Sequence, residues 1–420
     1  MKKNVLILGS GGREHALAWA FAKDDNVGKV YCAPGNGGTN EIAENINVNL
    51  INQQEVFRLA KEKKIDLTVV GPEKPLADGI VDSFRKGGLR IFGPDAYGAQ
   101  LESSKLFARD LMAENNIPHP DYYSCNTRED VETLKGILEL PLVLKADGLA
   151  AGKGVLILED LKEAKKELKA MVADAKFGKA SATVVVEEFL SGIELSVFVL
   201  TDGDSYKILP SAKDYKRIGE GDTGLNTGGM GAISPVPFAD RFFIEKVETE
   251  IIKPTIQGLK EEGIIYHGFI FIGLIVCGND IKVIEYNVRM GDPETEVVIP
   301  RIKSDLLYLF KGIGDGTFSE KDLHIDEDTA ATVMLVSGGY PEKYEKGKVI
   351  DDLSDVEGSI VFHAGTRQEK DAVLTNGGRV LAVTSFGKDI EDALAKSFTN
   401  AKKIKFEKKY YRKDIGFDLR

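Results

Sequence analysis

Cysteine is nearly missing from these 420 residues. Cys32, Cys125 and Cys277 are odd in number, far apart and outside any metal-ligand spacing. That excludes a disulfide scaffold and a cysteine zinc site, and points to a reducing cytoplasm. Long apolar runs are also lacking: the longest, Gly268 to Cys277, has the length of a buried strand, not of a membrane span. Met1-Lys2-Lys3-Asn4 leads into only four aliphatics before Gly9, so no secretory core is expected. There is no excess of positive charge. The net charge of −11 argues against general nucleic-acid binding. The local exception is Lys402 to Lys413, with seven basic residues and one acid. It reads as a solvated helix face, the alternative being a positive rim that draws in anionic substrates. No internal repeat, low-complexity tract or isolated Ser, Cys or His nucleophile stands out.

What is present describes a soluble globular protein, 43% hydrophobic and 29% charged. Its length calls for three or four sub-domains. Residues 1 to about 102 alternate strand and helix. Val5–Leu8, Lys29–Ala33 and Leu67–Val70 read as strands. Residues 14–23 and 53–64, and the set Leu76, Ile80, Val81 and Phe84, have helical spacing. That alternation predicts a parallel sheet covered on both faces, with ligands at the carboxyl ends of its strands. Gly-rich turns follow those strands at Gly9–Gly12, Pro34–Gly38, Gly71-Pro72 and Gly93-Pro94. The first turn fails the dinucleotide fingerprint, because Glu14 stands at the third glycine position and no acid ends the second strand. An NAD-dependent oxidoreductase is thereby argued against. The helix start can still hold a phosphate through free N–H groups, with Arg13 and His15 adding charge and hydrogen bonds.

A helix is expected over 103–115, then a smaller α/β unit over about 120–190. Its strands are Leu142–Lys145, Val155–Leu158 and Thr183–Glu188, with a charged helix at 160–173. Between the first two strands, small residues flanked by Lys145 and Lys153 make a backbone able to close over phosphates. The Walker spacing is absent. Residues 211–235 read as a long substrate-closing loop, followed by a helix at 239–262 and the strand 268–277. The segment Lys282 to Thr295 then carries the sharpest chemistry. In an extended strand Glu285 and Asn287 share a face and offer hard oxygen ligands that suit Mg²⁺. Arg289 continues that face and brings a permanent cation to a place suited to phosphate oxygens. Beyond about 325, β runs at 329–336, 359–364 and 379–385 and a helix near 389–404 suggest a packing domain.

Taken in order, Gly9-x-Gly-Gly-Arg-Glu-His15, Ala33-Pro-Gly-Asn36, Val70-Gly-Pro-Glu73 and Ile91-Phe-Gly-Pro94 form one set of motifs. Lys145 to Gly154, Asn226-Thr-Gly-Gly-Met-Gly231, Arg289-x-Gly-Asp-Pro-Glu294 and Thr375-Asn-Gly-Gly-Arg379 extend it. Over nearly its whole length the chain resembles the glycinamide ribonucleotide synthetase (phosphoribosylamine–glycine ligase) family of ATP-grasp enzymes. The resemblance implies an α/β fold in three parts. These are an N-terminal Rossmann-like parallel sheet (1–102), an ATP-grasp domain with a lid (103–325, lid about 120–190) and a C-terminal β-rich domain (326–420). It implies that ATP, glycine and 5-phosphoribosylamine give glycinamide ribonucleotide, ADP and phosphate, through glycyl phosphate, in purine biosynthesis. The implied metal ligands, for Mg²⁺ or Mn²⁺, are Glu285 and Asn287. Nucleotide contacts fall on Lys105, Lys145, Lys153, Glu187, Leu190 and Glu194. Gly11, Gly12, Arg13, Asn36, Glu73, Asp214 and Asp292 make the substrate side, and Arg289 and Lys145 stabilise developing charge. A monomer or weak homodimer is expected, with no nucleic-acid or membrane partner. The chain departs from the family pattern at Lys213 and Tyr215, usually Gln and His, at Leu225, usually Pro, and at Met290, usually Phe or Leu. The alternatives are an ATP-grasp enzyme of purine or biotin type that uses bicarbonate or formate, and a silent nucleotide-binding module.

Overall fold

The computed structural model describes residues 2–127, 129–130, 140–149, 154–174 and 183–419. Strands β1 (Lys3–Gly9), β2 (Val27–Pro34), β3 (Glu44–Asn45), β4 (Leu67–Val70) and β5 (Ile91–Phe92) make a five-stranded sheet in the order β3-β2-β1-β4-β5. Every pairing in it is parallel. This is the expected arrangement. The aliphatics of β1 are buried on both faces because helices cover the sheet on each side. Helix α1 (Gly12–Ala22) leaves the first Gly-rich turn at the carboxyl end of β1.

A four-stranded antiparallel sheet follows, β6 (Tyr122–Cys125), β7 (Leu142–Ala146), β8 (Val155–Leu158) and β9 (Val184–Glu188), in the order β6-β9-β7-β8. Its apolar residues form a core of their own. The next sheet joins β10 (Ile193–Thr201), β11 (Tyr206–Ile208), β16 (Gly268–Cys277) and β17 (Asp280–Asn287) as β11-β10-β16-β17. The site lies where these two sheets and the N-terminal sheet meet.

Three expectations are corrected. Residues 211–235 are not a structureless loop. They hold β12 (Lys213–Asp214), β13 (Arg217–Gly219), β14 (Thr223–Asn226) and β15 (Gly231–Ser234). Of these, β12 and β15 extend a sheet whose other strands come from far along the chain: β18 (Thr329–Val336), β22 (Arg379–Gly387) and β19 (Ile360–His363). Strands of two to four residues carry no readable alternation, and the link that ties β12 and β15 to the larger sheet, β15 to β18, joins residues about a hundred apart. The helix expected over 239–262 contains a π-turn at Glu248–Ile252, just before Pro254, which has no N–H to continue the regular ladder. The basic run after 402 is only partly a helix face, for the helix ends at Lys403 and Arg412 is wholly buried.

Candidate active site

One half of the site is built on β17. Its pairing with β16 runs Gly273 to Glu285 and then Leu274 to Val283, so Ile284 has no opposite number. Such a bulge re-aims the strand at that point. Glu285 comes out exposed and Asn287 buried. The Asn287 side-chain oxygen accepts from Arg289 Nη2 at 3.0 Å. Its Nδ2 is buried without a hydrogen-bond partner among the described residues. Glu285 pulls electrostatically on Lys145 and Lys216 and pushes on Asp214, so its carboxylate sits among the charged groups of the site. The carboxylate of Glu285 and the amide oxygen of Asn287 are hard donors suited to a hard cation, but in this arrangement the amide oxygen is taken by Arg289 and its unpartnered end is the N–H donor, so the amide would have to turn over to present oxygen to a cation.

Behind β17 lies a closed ring of charge. Lys145 Nζ meets Glu187 Oε2 at 2.7 Å and the Ile284 carbonyl at 3.3 Å. Arg109, on the helix Lys105–Glu114, grips both Glu187 oxygens at 2.8 and 2.9 Å and donates to the same Ile284 carbonyl at 2.6 Å. Burial alone would raise the Glu187 carboxyl, but Lys145 and Arg109 together hold it below its ordinary value. For Lys145 burial wins, and its ammonium is pushed below the usual lysine range. Lys105 Nζ reaches the Gly148 carbonyl at 3.2 Å, next to Asp147, which caps the start of its helix through Leu106 N–H and Ser104. Leu190 is half-buried just past β9. Glu194 pairs with Lys216 at 2.6 Å. Lys153 lies outside the described residues. Arg109 was not anticipated, although its place four residues after Lys105, on the same helix face, was a usable signal.

The other half gathers residues from across the chain. Arg289 bridges to Glu102 at 2.8 Å and approaches Glu73 at 3.5 Å. Arg13 and Arg289 both donate to the Met290 carbonyl at 3.2 Å. Asp292 pairs with Arg379 at 2.9 Å and accepts weakly from Arg13 N–H at 3.4 Å. Arg379 also binds the carbonyls of Gly228 and Asp292. The expected packing domain therefore sends a charged side chain into the site. Asn36 Nδ2 reaches the Gly11 carbonyl at 3.3 Å and the His363 carbonyl at 2.6 Å. Buried Glu294, beside Ser196 at 3.5 Å, is pushed up to about 8 by burial and then by Asp214. Asp214 is raised by burial, with Glu194 and Glu285 adding to it against Lys216. Lys216, Glu294 and Arg379 were present in quoted motifs but not singled out as site residues.

Two of the N–H groups at the first Gly-rich turn, those of Gly11 and, weakly, Arg13, are already engaged. Gly11 N–H donates to Glu14 Oε2 at 2.6 Å, and Arg13 Nε meets Glu14 Oε1 at 2.6 Å. Glu14, the residue that breaks the dinucleotide pattern, thus caps its own helix. Glu296 packs so closely on Gly12 that a Cβ there would collide with its carboxyl. His15 adds no charge: burial first, then nearby His363, lowers its imidazole to about 3. Among the described residues the unusual Lys213 keeps only a long contact with a site residue, donating to the Glu194 carbonyl at 3.5 Å, and both it and Tyr215 are tied to Asp418. Lys213 pairs with Asp418 at 3.2 Å and the Tyr215 hydroxyl donates to Asp418 at 2.8 Å, beneath the Arg412 guanidinium.

Comparison with known proteins bears on this geometry. The phosphoribosylglycinamide synthetase N domain matches residues 3–102, its ATP-grasp (A) domain 103–295 and its C domain 330–418. The chain is 45% identical over 422 residues to phosphoribosylamine–glycine ligase of Chlorobaculum tepidum, covering 98% of this chain and 99% of that one. It is 43% identical over 419 residues to the Haemophilus influenzae protein of the same name, covering 99% and 98%. The crystal structure of phosphoribosylamine–glycine ligase from Thermotoga maritima superposes with a TM-score of 0.86 at 35% identity, over 98% of this chain and 99% of that one. The biotin carboxylase domain of Hydrogenobacter thermophilus 2-oxoglutarate carboxylase shares the fold at 15% identity, with a TM-score of 0.76 over 97% and 91% of the two chains.

Proposed function

The chain belongs to the phosphoribosylglycinamide synthetase family, and from that premise we propose how its own residues divide the work of an ATP-dependent ligase. The reaction joins glycine to 5-phosphoribosylamine, giving glycinamide ribonucleotide, ADP and phosphate. A carboxylate is a poor acyl donor, so ATP first phosphorylates the glycine carboxylate. The amine of phosphoribosylamine then attacks glycyl phosphate and phosphate leaves. The supporting observation is that one segment, Ile284 to Glu294, reaches both the Lys145–Glu187–Arg109 ring, through the Ile284 carbonyl, and the Arg289–Asp292–Arg379 cluster.

Lys105 and Lys145 receive the nucleotide phosphates, and Lys153 is assigned to the same task. Glu187, Leu190 and Glu194 border the nucleoside, and Glu285 with Asn287 hold the divalent cation. The all-oxygen donor pair suits Mg²⁺ and Mn²⁺ alike. A cation held by Glu285 and Asn287 would supply positive charge to offset that of the phosphate oxygens. Lys145 and Arg289 supply fixed positive charge where the transferred group passes. Asp214 and Asp292 face the amino-acid side. Glu73, Asn36 and the turn Gly11-Gly12-Arg13 back the phosphoribosyl side. Because the Gly11 and Arg13 N–H groups are engaged by Glu14 and Asp292, the turn's part is to orient Asp292 and Arg379, and the substrate phosphate lies at a neighbouring strand-end loop. Three unpaired cysteines support a reducing, cytoplasmic setting, and we take the working unit to be a monomer or weak homodimer.

The test is ADP release measured with glycine and freshly generated phosphoribosylamine. Dependence on both is expected. ADP release indifferent to glycine, or supported by bicarbonate in its place, would overturn the assignment.

A further inference from the structure

We propose that Arg109 is a positioning residue that keeps Glu187 and the Ile284 carbonyl satisfied, so that Lys145 can leave them for the nucleotide phosphates. The inference deepens the reading above and rests on its placing of Lys145 against phosphate.

The geometry is a ring in which two cations share two acceptors. Glu187 Oε2 and the Ile284 carbonyl are each claimed by Lys145, at 2.7 and 3.3 Å, and by Arg109, at 2.9 and 2.6 Å. Arg109 alone holds Glu187 Oε1, at 2.8 Å, and it also donates to the Val283 carbonyl at 3.2 Å. All three side chains are buried. A buried carboxylate stripped of its only cation is costly, so a Glu187 that depended on Lys145 would pin it. With Arg109 in place, the departing ammonium leaves no orphan charge behind. The planar fork is suited to this, since it meets a carboxylate with two parallel bonds and cannot lose its proton.

Arg109 also fixes the strand next to the cation ligand. Ile284 is the unopposed residue of the bulge, so its carbonyl is turned out of the ladder and held by Arg109 instead. Glu285 is the next residue. The same guanidinium therefore keeps Lys145 releasable and holds the backbone from which Glu285 projects. It touches neither nucleotide nor cation in this arrangement.

The experiment measures binding of AMP-PNP with Mg²⁺ by calorimetry, without glycine, for the full chain. Arg109→Met should weaken binding by about tenfold or more, in the range seen for groups that orient ligands. Glu187→Gln alone should also weaken it. The double variant should bind more tightly than Arg109→Met, because a neutral amide no longer holds Lys145. Purely structural damage would add the two losses, and that result, or wild-type affinity in Arg109→Met, overturns the proposal. If Arg109→Met does not fold, Arg109→Lys, which keeps charge without the fork, must show a smaller loss that Glu187→Gln again relieves. Wild-type protein that fails to bind AMP-PNP would instead overturn the nucleotide assignment itself.

Discussion

The two halves of the site are made in different ways. The half proposed to take the nucleotide comes from three strands and one helix: β17, β7 with β9, and Lys105–Glu114. Its ring is closed within that local framework. The amino-acid and phosphoribosyl half draws single residues from six places, among them Arg13, Glu73, Glu102, Asp214, Asp292 and Arg379. The first is preorganised by secondary structure. The second exists only once the N-terminal sheet, β12 to β15 and the C-terminal sheet have closed on each other. A change in the first should therefore alter chemistry with little effect on assembly, whereas a change in the second should alter both.

Four tests bear on that contrast. Glu285→Ala should have the largest effect, lowering kcat about 10²–10³-fold, as loss of a charge-stabilising group does. Thermal unfolding should be unchanged, because Glu285 is exposed. Retained turnover would remove it from the cation site. Next, Arg379→Met should cut kcat/KM for phosphoribosylamine by about 10²-fold, the scale of breaking a largely buried ion pair, and should also lower the melting temperature. AMP-PNP affinity should stay at the wild-type value, and a fall there would blur the division between the halves. Tyr215→Phe should cost about 1 kcal/mol of stability, the worth of one hydroxyl bond, measured by denaturant titration. An unchanged midpoint would mean that Asp418 does not anchor this segment.

The most gradual effect is on pH. Glu294, raised to about 8, keeps its proton in the fold where the unfolded chain has lost it, so its contribution to stability is present below about 4.5 and lost as pH rises through 8. His15 and His363 work the other way. Burial lowers them to about 3 and about 4, so they are neutral in the fold but charged in the unfolded chain below about 6.5. Stability is lost from them as pH falls through that window. Glu294→Gln should flatten the alkaline slope of a melting-temperature profile and leave the acid slope intact. Equal change in both slopes would show that these groups are not independent.

Legibility in the sequence followed the same division. Strands β1, β2 and β4 could be read from aliphatic runs between Gly-rich turns, and the Glu285–Asn287 pair from simple alternation. The bulge at Ile284 could not, because it depends on where β16 offers a partner, and no residue type marks it. Residues 213–234 escaped for a similar reason, since β15 is ordered by β18 and β12 by β15 in turn. Arg412 misled outright. A run of basic residues is normally solvated, yet Asp222 and Asp414 at 2.6 and 2.8 Å neutralise this one inside the fold. Glu14 was noticed only for the pattern it spoils, while its capping role needed the coordinates.

The anchoring of Tyr215 by Asp418 spans 203 residues. Chains are synthesised from the amino end at about 5–20 residues per second, so Tyr215 waits on the order of tens of seconds for its anchor during translation. In that interval β6 to β9 can already close around their own core. Strand β17 also precedes Asp418 along the chain, so a nascent chain has made every strand of the proposed nucleotide half before the anchor of Tyr215 exists.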